Sequence, residues 1–159
     1  MNLELIYSLI LTILPVSELR LGLPLAINYA LEEGIPIFYV FSLIVLLNIA
    51  VIFFVFYFLD NLHKIFLKSK FYRRVFEIYL KRLQKKVDKF EKRYESLGIL
   101  ALTFFVAIPL PGTGAWSGSI LAWVLGLERK KSIAAIALGV IIAGILILLG
   151  TLGFIRLFN

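Results

Sequence analysis

The sequence predicts an all-α integral membrane protein, an inverted repeat of a re-entrant helical hairpin plus a transmembrane helix, joined by a basic amphipathic cytoplasmic helix. Three observations support this fold class: the apolar composition, two interruptions of long apolar segments, and the concentration of positive charge in one segment. The composition is 61% hydrophobic with a mean hydropathy of +0.96, whereas soluble domains are closer to half apolar. We treat residues 1–159 as a single membrane domain, with a first repeat at 1–59, a linker at 60–97 and a second repeat at 98–159.

Four apolar segments alternate with polar turns. Residues 36–59 and 132–155 are uninterrupted, and each exceeds the roughly 20 residues that a helix needs to cross a bilayer core. Residues 5–31 and 98–127 are also apolar, but they contain prolines and glycines that interrupt a helix. We therefore expect two transmembrane helices and two broken segments.

The two interruptions, at 14–24 and 108–118, organise the rest of the chain. A proline removes a backbone donor, and a broken backbone at membrane depth is tolerated where protein or a watery cavity meets it. Matching breaks in two halves of a membrane chain are typical of a transport site. The residues that we expect to break the helices are Pro15, Gly22 and Pro24 in the first interruption, and Pro109, Pro111, Gly112, Gly114 and Gly118 in the second.

The two interruptions also align with each other. When the chain is shifted by 96 residues, the two interruptions align without a gap and seven positions are identical. The identical pairs are Leu14 and Leu110, Pro15 and Pro111, Gly22 and Gly118, Leu25 and Leu121, Ala26 and Ala122, Leu31 and Leu127, and Glu32 and Glu128. Some leucine matches are expected by chance in a chain this rich in leucine. Chance matches of proline, glycine and glutamate are less expected. The alignment indicates an internal duplication.

Two topologies are compatible with the four apolar segments. If both broken segments crossed the membrane and the linker were inside, Arg129, Lys130 and Lys131 would lie outside, against the positive-inside rule. If each broken segment is a re-entrant hairpin, Glu33 lies outside, whereas the linker and these three basic residues lie inside. The second arrangement also inverts one half relative to the other. We favour it, and expect residues 60–97 to be cytoplasmic.

The linker contains 12 of the 17 lysines and arginines, which favours contact with membrane lipids of the anionic inner leaflet over nucleic acid binding. Its apolar residues recur at alternating spacings of four and three, as in a heptad repeat: Phe76, Leu80, Leu83, Val87, Phe90, Tyr94 and Leu97. This pattern is compatible with a coiled coil against a second copy, which would make a homodimer. We favour the simpler interpretation, an amphipathic helix that lies on the membrane or folds back on its neighbour.

Glu18 and Arg20 are charged residues deep inside an apolar segment. Each would cost about 2.5 to 3.5 kcal/mol at the bilayer centre, so each needs a partner or water. Residues two apart do not face each other on a helix, which disfavours a salt bridge within it. We expect Ser17 to cap a half-helix that starts at Glu18, and an arginine beside free amides to form an anion site. The alternative is a buried Glu–Arg contact that only fixes the hairpin tip.

The second interruption adds polar groups to the candidate site. Thr113 and Ser117 supply hydroxyls and Trp116 an aromatic face, although a tight turn packed on the first hairpin would use the same glycines. Asn48, in the middle of a predicted span, makes either an interhelical hydrogen bond or a site contact. We assign substrate or proton binding to Glu18, Arg20, Asn48, Thr113, Trp116 and Ser117.

No catalytic or cofactor motif accompanies these residues. The sequence has no cysteine and one histidine, His63, in the linker, and it contains no metal-ligand cluster, catalytic triad or carboxylate pair. Gly112 and Gly114 lack the third glycine of a dinucleotide-binding fingerprint. We expect no catalytic residue, no cofactor and no metal, and hence not an enzyme.

Two motifs resemble the signatures of the small multidrug export protein family of prokaryotes. The first is Leu14-Pro-Val-Ser-Glu-Leu-Arg20 with Gly22 and Pro24, although glycine directly follows the arginine in the family's pattern and Leu21 intervenes here. The second is Pro109-Leu-Pro-Gly-Thr-Gly-Ala-Trp-Ser-Gly118. The resemblance implies a multi-pass protein of a prokaryotic cell membrane. The layout is also similar to DedA/VTT-type membrane proteins, in which paired re-entrant hairpins accompany lipid or polyprenyl-phosphate translocation, a likeness of architecture alone.

These observations favour a secondary membrane transporter or exporter of small polar or amphipathic substrates. Glu18 would carry a coupling proton, and Arg20 would bind substrate between two facing hairpin tips. The alternative is a lipid or polyprenyl-phosphate flippase or scramblase that uses the same groove. A scaffold whose basic helix recruits a partner is the third interpretation.

Overall fold

The computed structural model describes residues 3–62, 69–70, 73–78, 81 and 98–158, and every regular element in these ranges is helical. The helices are α1 (Leu3–Ile13), α2 (Glu18–Glu32), α3 (Ile37–Tyr57), α4 (Gly98–Ala107), α5 (Ala115–Val124) and α6 (Arg129–Phe158), and a π-helical turn, Phe58–Leu62, extends α3. Residues 73–78 are also helical. His63 and the predicted heptad positions from Leu80 to Leu97 lie outside the described residues, so the amphipathic linker helix stays a prediction.

The first half of the chain begins with two helices that fold back on each other. A Cβ built on Gly22 of α2 would lie 2.0 Å from the Thr12 Oγ1 and 2.8 Å from the Ser8 carbonyl oxygen of α1. In a continuous helix, Thr12 and Gly22 would be about 15 Å apart. The chain therefore reverses direction between α1 and α2, through residues 14–17, which we call the first break.

The second half reverses in the same way. A Cβ on Gly118 of α5 would lie 2.6 Å from the Val106 Cγ2 of α4, and one on Gly98 would lie 4.0 Å from the Leu127 Cδ2. The start of α4 is therefore close to the end of α5. We call residues 108–114, between these two helices, the second break.

Three residues that we expected to break helices lie inside them. Gly22 and Pro24 belong to α2, and Gly118 belongs to α5. The two glycines let neighbouring helices approach closely, a use of glycine that sequence alone does not separate from helix breaking. Pro24 has no N–H to donate to the Arg20 carbonyl, a loss that α2 tolerates. The breaks themselves contain Pro15, Pro109, Pro111, Gly112 and Gly114, as expected.

Ser17 does not cap α2, contrary to the sequence-based expectation. It occupies the N-cap position, but its hydroxyl donates to the Leu11 carbonyl of α1 at 2.6 Å. The last carbonyls of a helix have no donor within that helix, so Ser17 satisfies the end of α1 rather than the start of α2.

The two long helices, α3 and α6, pack against each other and against both folded-back pairs. Their apolar stretches Ile37–Asn61 and Arg129–Leu157 are long and apolar enough to cross a membrane. At about 1.5 Å per residue, the 21 residues of α3 match the ~30 Å thickness of a bilayer core. The core between these helices contains fully buried Ile27 of α2, Ile44 and Ile52 of α3, and Ile136 of α6.

Both breaks lie beside the second half of α3. Asn48 donates its Nδ2 to the Thr12 carbonyl, just before the first break, at 3.1 Å. The ring of Phe54 meets the ring of Trp116, just after the second break, edge to face with centroids 6.1 Å apart. The two breaks therefore meet within the length of a helix that is long enough to span a membrane.

Asp60 connects the C-terminal end of α3 to the second folded-back pair. Its Oδ1 accepts a hydrogen bond from the Trp123 Nε1 at 3.0 Å, and its Oδ2 pairs with the Arg129 guanidinium, which lies 4.8 Å from the centroid of the Phe56 ring. We call these four residues the Asp60 cluster. Its ion pair is solvent-exposed, and such pairs contribute on the order of 1 kcal/mol or less. Glu33 precedes α3 and so lies at its opposite end.

Gly139→Ala should destabilise the protein, whereas Gly150→Ala in the same helix should not. A Cβ on Gly139 would lie 2.7 Å from the Val106 Cβ and 2.8 Å from the Thr103 carbonyl oxygen, but one on Gly150 meets nothing within 4 Å. Overpacking of this kind costs about 1–3 kcal/mol, whereas alanine in an open helical position gains about 1 kcal/mol over glycine. Thermal unfolding of both variants in the same detergent measures the difference, and equal melting temperatures would contradict the close contact between α4 and α6.

Candidate functional site

Glu18 connects the first break to the start of α5. It is the first residue of α2 and only 5% exposed. Its Oε2 accepts a hydrogen bond from the Ala115 N–H at 3.2 Å, and its Oε1 accepts one from the Trp116 N–H at 3.1 Å. These N–H groups belong to the first turn of α5, where no helical carbonyl is available to them. We call this pair of bonds the Glu18 bridge.

The backbone on both sides of the bridge is specialised. Glu18 has a φ of +46°, a left-handed conformation that is uncommon for any residue other than glycine and costs roughly 1–2 kcal/mol. Gly114, the N-cap of α5, has a φ of +141°, and a Cβ there would lie 1.7 Å from the Glu18 Oε2. Glycine at 114 therefore provides both the backbone conformation and the space that the carboxylate occupies.

Arg20 makes the second contact between the two breaks. One terminal nitrogen of its guanidinium donates to the Thr113 carbonyl and to the Thr113 Oγ1, the latter at 2.9 Å. The Thr113 Oγ1 in turn lies 2.7 Å from the Ile108 carbonyl oxygen and 2.8 Å from the Leu110 carbonyl oxygen, which share its hydrogen. Thr113 thus closes the second break on itself and presents its oxygens to Arg20.

A small cavity adjoins the Glu18 bridge. Its volume is about 10 Å³, close to the minimum that holds one water molecule. Glu18, Arg20 and Asn48 contribute to its wall, together with apolar residues of α4 and α6. Asn48 is 1% exposed, and its Nδ2 donates to the Thr12 carbonyl. That bond fixes the orientation of the amide and leaves the Asn48 Oδ1 as an acceptor for another donor.

Trp116 borders both the Glu18 bridge and a larger apolar cavity. Its backbone N–H donates to Glu18, and its indole Nε1 donates to the Ile13 carbonyl at 2.9 Å. The larger cavity has a volume of about 340 Å³, and the described residues that line it are aliphatic, aromatic or proline, among them Pro15, Phe58, Trp116 and Ile120. This volume falls within the range of small-molecule pockets, about 300–1,000 Å³.

The structure brings five of the six predicted site residues to the contact between the breaks. Glu18, Arg20, Thr113 and Trp116 take part in its hydrogen bonds, and Asn48 lines the adjoining cavity. Ser117 is buried, and its hydroxyl donates to the Gly114 carbonyl at 3.4 Å, within its own helical turn. Sequence reasoning expected an anion site at a helix start, and the structure has one on α5 rather than on α2, occupied by the Glu18 carboxylate.

Two contacts of this region were missed at the sequence level. The indole of Trp116 satisfies the end of α1, and Asp60 links α3 to Trp123 and Arg129. One signal could have pointed to the second contact. Asp60 is an acidic residue at the end of one predicted span, and Arg129 is a basic residue at the start of the other.

These features define the class: a helical membrane protein with two folded-back helix pairs whose breaks meet around a buried acid and an arginine. A family model described as putative small multi-drug export protein matches residues 18–146, and the chain belongs to that family. This confirms the family resemblance of the two motifs; the likeness to DedA/VTT-type proteins stays a prediction. Comparisons with curated proteins and with solved structures found no match. The family description refers to export, which is not a class of enzyme.

Proposed function

We propose that the protein is a proton-coupled secondary transporter that exports small polar or amphipathic substrates, with its site between the two breaks. The Glu18 bridge is the observation that carries this proposal. A buried carboxylate of the first half is bound to backbone amides of the second half, so its charge controls how strongly the halves adhere at this point. A proton on Glu18 would remove that charge, and hydrogen bonds to charged groups are roughly twice as strong as neutral ones.

The proposed topology places the two folded-back pairs in the membrane as re-entrant hairpins that enter from opposite sides. Three observations support it. The second helix of each folded-back pair starts at nearly the same place after a shift of 96, since α5 starts at 115 and α2 at 18. Asp60 and Arg129 pair at one end of α3, and Glu33 lies at the other. Both breaks lie beside the second half of α3.

In the proposed mechanism, deprotonated Glu18 holds α5 against the first break, and protonated Glu18 releases it. The amides of α5 and the guanidinium of Arg20 then become available to a polar group of the substrate. Alternating exposure of such a central site by motion of one repeat against the other is the general behaviour of inverted-repeat transporters. Coupling to the proton follows because release of the bridge requires protonation of the same carboxylate.

Glu18→Gln should abolish transport driven by a pH gradient. Glutamine is permanently uncharged, so the bridge can no longer respond to protons, although substrate flux down its own gradient can persist. The measurement uses proteoliposomes loaded with the pH dye pyranine, and a panel of anionic, neutral and cationic amphipathic compounds. Gradient-driven accumulation should fall to the level of empty liposomes.

The matched control for this experiment is Glu32→Gln. Glu32 belongs to the same helix, is exposed, and accepts a hydrogen bond from Asn28 at 2.7 Å, so its replacement should leave flux unchanged. If Glu18→Gln keeps full gradient-driven flux, Glu18 is not the coupling residue and the proposal is wrong.

A lipid or polyprenyl-phosphate flippase is the second candidate function. The observation that favours it is the apolar cavity of about 340 Å³ beside Pro15 and Trp116, which could hold part of an acyl or prenyl chain. A fluorescent-lipid scrambling assay in liposomes without any ion gradient distinguishes the two functions. Scrambling that is unaffected by Glu18→Gln would favour the flippase over the proton-coupled transporter.

A further inference from the structure

We propose that the substrate is an amphipathic carboxylate, which replaces the Glu18 carboxylate on the α5 amides and travels together with one proton on Glu18. The inference rests on the proposed transport function and specifies the substrate class of the same site. It combines four features of the structure: the chemistry of the Glu18 bridge, the local charge balance, the small cavity that Glu18 and Asn48 share, and the apolar cavity lined by Trp116.

The site on α5 already binds a carboxylate. The two oxygens of Glu18 accept separate hydrogen bonds from the Ala115 and Trp116 N–H groups, and Arg20 is held by Thr113, the residue before the α5 N-cap. Two amide donors spaced for the two oxygens of one carboxylate, at the positive end of a helix, would bind the same group on a small molecule. The chain's own side chain thus shows which functional group fits.

Charge balance determines what can replace Glu18. Among the described residues, Arg20 is the one other charged group at the bridge; α3 contributes Asn48, and α4 and α6 contribute the apolar Val106, Val140 and nearby residues. With Glu18 ionised, the site is neutral. An anion that entered alongside ionised Glu18 would leave a buried net negative charge, and a proton without an anion would leave Arg20 unpaired, and both are costly. Entry of one anion with one proton keeps the site neutral.

Asn48 is a polar partner for the displaced Glu18 carboxyl, since both residues line the cavity of about 10 Å³. A protonated carboxyl has an O–H to donate, and the Asn48 Oδ1 is an acceptor whose amide orientation is fixed by the bond to Thr12. In the proposed exchange, protonated Glu18 donates to Asn48 when it loses its charge-assisted bonds to α5.

The apolar cavity accounts for the remainder of the molecule. Trp116 contributes its backbone N–H to the Glu18 bridge and its side chain to the wall of the cavity of about 340 Å³. A ligand with its carboxylate on the α5 amides can therefore place an alkyl or aryl body against Trp116, Pro15 and Ile120. A carboxylate without such a body would leave the cavity unfilled, and a neutral or cationic amphipath would find no partner for its head group at Arg20.

The experiment measures binding to the purified full-length chain in nanodiscs, with empty nanodiscs subtracted. The probes are radiolabelled hexanoate, hexanol and hexylammonium, which share one apolar body and differ in the head group. Hexanoate should bind in preference to the other two, and its affinity should be higher at about pH 5.5 than at about pH 7.5, because one proton is taken up with each anion.

Two variants of the bridge should change this binding in opposite directions. Glu18→Gln should bind hexanoate at pH 7.5 at least as tightly as the unmodified protein does at pH 5.5, and without pH dependence, because the competing charge is gone. Arg20→Gln should lose most of the preference for hexanoate over hexanol. The gain of affinity in Glu18→Gln cannot result from misfolding, so it tests the carboxylate assignment even if Arg20→Gln does not fold.

Equal binding of hexanoate and hexylammonium, or unchanged pH dependence in Glu18→Gln, would overturn the carboxylate assignment. The assay does not depend on flux, so the two proposals fail separately. The expected binding pattern without any flux in liposomes would refute transport alone. Proton-driven flux of other compounds without this binding pattern would refute the substrate class alone.

Discussion

Gly114→Ala is expected to abolish gradient-driven transport. A Cβ at this position would lie 1.7 Å from the Glu18 Oε2 and 2.7 Å from its Cδ, and the φ of +141° is unfavourable for any side chain. The carboxylate would have to leave the α5 amides, with the loss of two hydrogen bonds to a charged group that contribute about 1.5–3 kcal/mol each. Proteoliposome flux under a pH gradient should fall by more than about tenfold, the change that 1.4 kcal/mol produces.

Gly126→Ala is the matched control for this variant. Gly126 also has a positive φ, +63°, but a Cβ on it meets nothing within 4 Å. This substitution imposes backbone strain of about 1–2 kcal/mol without touching Glu18. It should lower thermal stability while leaving flux close to that of the unmodified protein. If the two variants lose activity equally, the effect comes from backbone strain in the second half and not from displacement of Glu18.

Cysteines at 33 and 130 are expected to react from opposite sides of the membrane. Asp60 and Arg129 are paired at one end of α3, and Glu33 lies at the other. The chain has no native cysteine, so Glu33→Cys and Lys130→Cys each provide a single thiol. A membrane-impermeant maleimide applied to intact cells should label position 33, and it should label position 130 only after the cells are permeabilised.

The control for the labelling is Asn61→Cys, next to the Asp60 cluster, which should behave like position 130. Labelling of 33 and 130 from the same side would mean that the second broken segment does not return to the side from which it enters. The inverted arrangement of the two halves, and the proposed mechanism with it, would then be wrong.

The sequence predicts most of the proline breaks because their cause is local. Pro15, Pro109 and Pro111 lack a backbone donor, and the structure has breaks at those places, but Pro24 lacks one too and lies inside α2. Gly22 and Gly118 were misassigned because a glycine that permits close helix packing and a glycine that interrupts a helix look alike without knowledge of the neighbour. Their neighbours, Thr12 and Val106, approach only after the chain has folded back.

The site was predicted in part for a similar reason. A charge in an apolar segment needs a partner, so Glu18 and Arg20 could be selected without a structure. Their partners lie more than 90 residues away, since Glu18 bonds to Ala115 at a separation of 97 and Arg20 to Thr113 at 93. No local pattern records such a pairing. The anion site expected at the start of a half-helix was therefore assigned to α2, whereas the tertiary contact places it at the start of α5.

Helix α5 is held near both ends by carboxylates, Glu18 of the first repeat and Asp60 at the start of the linker, and the two restraints differ in their exposure to water. Glu18, at the first turn, is 5% exposed, whereas Asp60, which holds Trp123 in the last turn, belongs to an exposed ion pair. Dissolved salt weakens exposed charge pairs far more than buried ones. Rising ionic strength would therefore weaken the Asp60–Arg129 pair without releasing the Glu18 bridge, so only protonation would free the first turn of α5.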